Sequence, residues 1–251
     1  MIQSLQKAMD ILLVLKGHND TCSIAQLAET LKLPPSTIHR ILQTLCAAKF
    51  VIKEPRSHNY QLGPALIPLG IAAQKNLRMH SLAHPILEEL AKSTKEDAFL
   101  VIPVGYKGIV LDRIDGPSSL KIVESFGVEL DMHCGAIRKA LLAYQSDDFI
   151  DYYLKNILTA PHAFPKTSEK VLVSALKKIR AEGVAVSHGD YVNGTIGVGA
   201  PVFNASGKIT ASIGIVAPAL RIPDEIRLSK IEKCVKTCAK ELSNDLGYFE
   251  E

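Results

Sequence analysis

No run in this chain approaches the ~20 consecutive apolar residues of a membrane span, so no spanning helix is expected. The opening MIQSLQKAMD carries an acid and lacks a long apolar core, unlike a targeting peptide. GxSxG, HExxH, P-loop and dinucleotide fingerprints are all missing, and no enzyme is expected. Cysteine is sparse, at Cys22, Cys46, Cys134, Cys234 and Cys238. An odd, scattered set reads as free thiols in a reducing cytoplasm. Cys234 and Cys238 share a helical face, but two thiols without a nearby His or Cys partner make a poor zinc site. Neither a metal nor a cofactor is expected. His133 and Cys134 are the one adjacent His/Cys pair. Read as strand neighbours, they point to opposite faces and cannot act as base and nucleophile. Gly194, Gly197 and Gly199 fall within a strand pattern, where glycine lets a ligand or another backbone approach closely.

A strong charge excess is also lacking: the net charge is +3. Its distribution is informative. Residues 1–62 hold seven Lys/Arg against four Asp/Glu, and the remainder holds 22 against 22. The whole excess lies where phosphate contacts would need it. It is mild, so one copy should bind DNA weakly and a dimer is expected. At 251 residues, two domains are the natural division.

What is present is a helix, a proline-bounded break, a second helix and a hairpin. Ala25, Leu27, Ala28 and Leu31 fall at helical spacing, with Ile24 at the entry and Ser23 and Gln26 as a capping box. Lys32-Leu33-Pro34-Pro35 ends that helix, and Pro35 suits the first turn of the next. Ile38, Ile41, Leu42 and Leu45 form one apolar stripe. Ser36, Thr37, His39, Arg40, Gln43 and Thr44 lie largely opposite, an acid-free donor face suited to phosphates and base edges in a major groove. Phe50–Ile52 and Tyr60–Leu62 read as strands around a polar loop, with Arg56 and His58 able to reach DNA. Leu5, Ala8, Met9, Leu12 and Leu15 would close the core from an upstream helix. This is the layout of a winged helix-turn-helix over residues 1–62, and it implies duplex DNA as partner.

Residues 63–79 read as a linker helix, with Pro68 and Gly70 suggesting a late start or a kink. Residues 80–251 read as a mixed α+β domain with a mostly antiparallel sheet. Its helices are expected over Leu82–Ser93, Gly135–Tyr144 and Asp148–Leu154, from a cap at Thr167 or Ser168 to about Glu182, and from Pro223 and Asp224 to about Leu246. Strands are expected over Ala98–Val104, Lys107–Ile114, Leu120–Glu124, Val184–His188, Thr195–Phe203 and Lys208–Val216.

Three stretches resemble the IclR family of bacterial transcriptional regulators: LPPSTIHRILQTL, GVELDMHCGAIRKALLA from Gly127, and GVAVSHGDYVNGTIGVGAPVFNASGKITASIGIVAP from Gly183. The resemblance covers nearly the whole chain. It implies a winged helix-turn-helix joined by a helix to a GAF-like effector domain, a homodimer or homotetramer, and a small organic effector, aromatic compounds included. It would place the effector pocket near Ser119, Ile122, Ala136, Ile137, Ser187, Gly197, Gly214 and Val216. The chain departs from the family pattern at Asp131, where proline is usual, and at Arg138, where glycine is usual. Gly197, Gly214 and Val216 replace polar pocket positions, which implies a roomier, more apolar pocket. Arg138, or amides near Gly135-Ala136, could bind a carboxylate; alternatively Arg138 is a solvated helix residue. Two further readings stand beside this one: an enzyme with a regulatory N-terminal domain, and a winged helix that binds a protein.

Overall fold

A serine and a glutamine set the start of the helix-turn-helix. The Ser23 hydroxyl accepts the Gln26 N–H at 3.2 Å, and the Gln26 carboxamide accepts the Ser23 N–H at 2.8 Å. Two amides that the first turn cannot satisfy internally are thereby capped. The computed structural model describes residues 2–17, 21–76, 78–120, 127 and 129–249, with backbone alone at 73–76. The chain forms two compact units, residues 1–76 and 77–251.

The first unit contains α1 (Gln3–Gly17), α2 (Ile24–Leu31) and α3 (Pro35–Ala47), the wing strands β1 (Val51–Lys53) and β2 (Tyr60–Leu62), and α4 (Leu66–Asn76). Lys32 ends α2 in the left-handed region, at φ +52°. Pro35 opens α3 at a position whose N–H would have no helical partner anyway. Ile11, Leu15, Leu27, Ile38, Leu42, Leu45, Val51 and Tyr60 make the core. The expected inner face of α1 needs correction. Ile11 is fully buried, whereas Leu5 and Met9, expected inside, are exposed together with Leu13. The helix carries two apolar stripes, and the unit's core uses only one. A further backbone pairing joins Cys22 to Tyr60, adding a third short edge to the wing.

The second unit begins with α5 (Arg78–Thr94), which starts four residues before the expected Leu82. Its first turn offers a single apolar residue, Met79, which packs on the core. Next come β3 (Asp97–Val104), β4 (Lys107–Ile114), β5 (Glu129–Asp131), α6 (Gly135–Ala143) and α7 (Asp147–Tyr152). They are followed by α8 (Glu169–Glu182), β6 (Ala185–His188), β7 (Thr195–Phe203), β8 (Ile209–Pro218) and α9 (Glu225–Asp245). Among the described residues the strands form one sheet in the order β5-β4-β3-β8-β7-β6, with every pairing antiparallel. One face packs Leu87 and Leu90 of α5 and Ile231 and Val235 of α9 against Leu100, Ile213 and Ile215. The opposite face packs Ile137 and Leu141 of α6 and Leu176 of α8 against Phe99 and Val101. The expected strand at Leu120–Glu124 lies outside the described residues from 121 onward, and Leu120 itself stands in a bend. The short strand β5, which the sequence did not indicate, pairs with β4 instead. No helix among the described residues is long and apolar enough to cross a membrane.

Candidate nucleic-acid interface and ligand site

Helix α3 sorts its residues as its periodicity dictates. Ile38, Leu42 and Leu45 are buried, whereas Ser36, His39, Arg40, Gln43 and Thr44 are exposed and Thr37 is half-buried. No acid interrupts that outer face. The Thr44 hydroxyl donates back to the Arg40 carbonyl at 3.3 Å, so it is partly engaged within the helix. On the wing, Arg56 and His58 are exposed. The tip is held by the Glu54 N–H bonding to the Asn59 carbonyl at 2.8 Å and by His58 at φ +59°. At the wing's return, a Cβ on Gly63 would collide with the Lys49 carbonyl, so only glycine lets the chain pass there.

Six of the eight expected ligand-site residues come together in the second unit, under the first turn of α6. Ser187, Gly197 and Val216 are in register across β6, β7 and β8, and Gly214 lies two residues along β8 on the same face. The Ser187 hydroxyl accepts the Ala136 N–H at 3.1 Å. A Cβ on Gly197 would meet Ser187 Oγ at 2.8 Å, and one on Gly214 would meet Ile137 Cγ1 at 2.8 Å and collide with the Val198 carbonyl. A side chain at either position would therefore need its neighbours to move. The Ala136 amide, expected to be open to a carboxylate, is engaged by Ser187.

Arg138 is 3% exposed, which overturns the solvated alternative. Its Nε donates to the Gly108 carbonyl at 3.3 Å, and a Cβ on Gly108 would lie 2.9 Å from Arg138 Cγ. The arginine that replaces the family's glycine thus lies against a glycine of β4. Ser119 is exposed, and its flanks are fixed by Arg221. That guanidinium bonds Ser118 Oγ at 2.7 Å, the Leu120 carbonyl at 3.2 Å and the buried Glu96 carboxylate at 2.9 Å. Ile122 lies outside the described residues. A groove of about 970 Å³ lies elsewhere in the second unit. Its rim mixes Lys236 and Lys240 with Glu182 and Glu232, so it presents no single sign of charge to a ligand.

His133 and Cys134 stand in the turn before α6, not in a strand. Both ring nitrogens of His133 are used: Nδ1 meets the Tyr153 hydroxyl at 2.7 Å, and Nε2 meets the Pro165 carbonyl at 2.9 Å. The carbonyl can only accept, so the network assigns the proton to Nε2. Burial lowers the His133 pKa, against a smaller opposing effect of the Pro165 carbonyl. Burial also pushes the Tyr153 hydroxyl well above the usual phenol range. A base whose folded pKa is depressed stabilises the fold fully above its unfolded value of about 6.5. That stability is lost as pH falls from there through the folded value. Urea midpoints should therefore drop on mild acidification, and His133→Asn should flatten the slope through this window. An unchanged slope would count against the assignment.

Two family models match the chain. The model described as "IclR helix-turn-helix domain" matches residues 4–55, and "Bacterial transcriptional regulator IclR C-terminal" matches residues 71–244. The chain is 29% identical over 243 residues to the HTH-type transcriptional regulator BhcR of Paracoccus denitrificans, covering 96% of this chain and 86% of that protein. It is 27% identical over 250 residues to the HTH-type transcriptional regulator KdgR of Escherichia coli, covering 99% and 94%. The crystal structure of an IclR transcriptional regulator from Alicyclobacillus acidocaldarius superposes with a TM-score of 0.82 at 26% identity, covering 97% of this chain and 98% of that one.

Proposed function

Because the chain belongs to the IclR family of bacterial transcriptional regulators, we propose that it occupies an operator as a homodimer or homotetramer and that a small organic effector in the second unit changes that occupancy. It is a DNA-binding transcriptional regulator and not an enzyme. The reading places α3 in a major groove, with Arg40 as the principal contact and Arg56 of the wing on the adjoining backbone. The observation that carries it is the exposed, acid-free face of Ser36, His39, Arg40 and Gln43. A dimer is supported by the spare apolar stripe of α1, in which Leu5, Met9 and Leu13 recur every four residues and all are exposed. The effector would be held around Ser119, Ile122, Ala136, Ile137, Ser187, Gly197, Gly214 and Val216, in a bacterial cytoplasm. An effector acts only through its difference in affinity for the DNA-competent and DNA-incompetent states.

Fluorescence anisotropy with the protein's own upstream intergenic DNA tests this, at two salt concentrations and with a panel of aromatic and aliphatic acids. Affinity should fall steeply with salt, with a log–log slope of about −0.9 per phosphate neutralised, and one class of acid should shift the curve. Salt-insensitive binding, or none, would instead favour a winged helix that docks on a protein.

A further inference from the structure

His80, His84 and Asp112 lie outside both sites described above, and nothing in DNA or effector binding uses them. We propose that they form a binding site for a divalent transition-metal ion of the zinc, cobalt and nickel class, clamping the first two turns of α5 to strand β4. One ligand atom from each residue lies within 4.8 Å of the others. His84 Nδ1 is 2.7 Å and His80 Nε2 is 3.3 Å from the same oxygen, Asp112 Oδ2. A tetrahedral ion with bonds of ~2.0–2.1 Å holds its ligand atoms ~3.3 Å apart, so small rotations of the two rings complete the set.

The backbone is built to supply the carboxylate. Leu100 of β3 pairs with Asp112 and Val101 with Val110, leaving Leu111 as an extra residue in β4. Val110 packs on the α6 face of the sheet. Strict alternation would send Asp112 to that same face. Leu111 takes the α5 face as alternation dictates, and the bulge keeps Asp112 on that face as well, so that it reaches the histidines. On α5, His80 and His84 are four residues apart, one turn above the other on one side. The outer contacts also suit a metal. Asp112 Oδ1 accepts the Arg113 N–H at 2.8 Å, which orients Oδ2 toward the rings. Glu88 Oε1 lies 3.9 Å from His84 Nε2, on the far side of the ring from the ligand nitrogen. A side-chain rotation that brings it within hydrogen-bond reach would fix the tautomer and raise the basicity of a metal-bound imidazole.

Burial divides the site sensibly: the Asp112 side chain is 9% exposed and His84 44% exposed, which leaves a path for the ion. Two imidazoles and a carboxylate suit zinc, cobalt and nickel, and leave a fourth position for water or an exogenous ligand. The competing pair, Cys234 and Cys238, is ill suited. Burial pushes the Cys238 thiol up to about 12 and raises Cys234, so thiolate is disfavoured at neutral pH.

The test is calorimetric titration of chelator-stripped, full-length protein with zinc chloride, and visible spectroscopy of the cobalt form. One equivalent per chain is expected. Cobalt should give tetrahedral d–d bands without a thiolate charge-transfer band. His84→Ala, and separately His80→Ala, should weaken binding by about a hundredfold or more, since even outer-shell partners are worth about 10–100-fold. The double substitution Cys234→Ser with Cys238→Ser should leave binding unchanged, and circular dichroism should show every variant folded. Binding that survives both histidine substitutions, or a thiolate band, would place the metal elsewhere. No zinc uptake by the folded protein would leave the cluster as a histidine–carboxylate ion pair and overturn the proposal.

Discussion

Arg40→Ala is expected to weaken operator binding by about 5- to 150-fold for each recognition helix, the equivalent of removing one good contact worth about 1–3 kcal/mol. A dimer that engages two half-sites loses the square of that factor, enough to abolish occupancy at working concentrations. The fold should be untouched, because Arg40 is exposed and carries no ion pair among the described residues. Comparing operator and scrambled DNA in the same anisotropy assay separates two roles. If the guanidinium reads a guanine edge, affinity for the operator falls and affinity for scrambled DNA barely changes. If it binds a phosphate, both fall together and the salt slope drops by about one for each phosphate no longer neutralised. Gln43→Ala, by contrast, should relax specificity more than it lowers affinity, because an amide side chain adds no charge. Thr44→Ala should have the smallest effect of the three, since its hydroxyl already bonds to the Arg40 carbonyl. An Arg40→Ala protein that binds the operator like the parent would remove α3 from the groove.

The DNA-binding unit was readable in the sequence because its signals are local. A capping box, two prolines and a stripe at i, i+3, i+4, i+7 each act within a few residues, and each appears where expected. The second unit was readable wherever elements were long: the hairpin of β3 and β4, and the Ser168 and Gly183 caps of α8, fall within a residue of expectation. What escaped depended on partners distant in sequence. Strand β5 is three residues long and exists through its pairing with Lys107–Ile109. Met79 is the one apolar residue of the turn Arg78–Ser81, too little to carry the helix back from Leu82, so His80 was not placed beside His84, and no pattern in β4 marks the bulge at Leu111. Arg138 looked like a surface residue because nothing local says that Gly108, thirty residues earlier, is the surface it covers. The glycines of β7 and β8 teach the same lesson. Their strand context correctly signalled a close approach, but the sequence did not say which backbone approaches.

That approach sets the second large effect. Gly199 and Gly214 are paired in register on β7 and β8, directly beneath Ile137 of α6. A Cβ on Gly214 would collide with the Val198 carbonyl and stand 2.8 Å from Gly199 Cα; one on Gly199 would stand 2.5 Å from Ile137 Cα. Ordinary overpacking costs about 1–3 kcal/mol because side chains can rotate away. Here the obstructing atoms are mostly backbone, held by the sheet on one side and by the helix on the other. Gly214→Ala should therefore cost at least the top of that range and sharply lower the urea midpoint of the second unit. Gly70→Ala is the contrasting case. That residue lies in α4 with nothing within 4 Å of its Cβ position, so the same added methyl should stabilise by about 0.5–1 kcal/mol through helix propensity. Opposite signs from one chemical change would locate the constraint in the close packing around Gly214 of β8. If Gly199→Ala, whose Cβ would meet the Ile137 backbone, melted like the parent, α6 would have to be free to lift off the sheet. The ligand site would then be a space that opens between them rather than one already framed by Ser187 and Ala136.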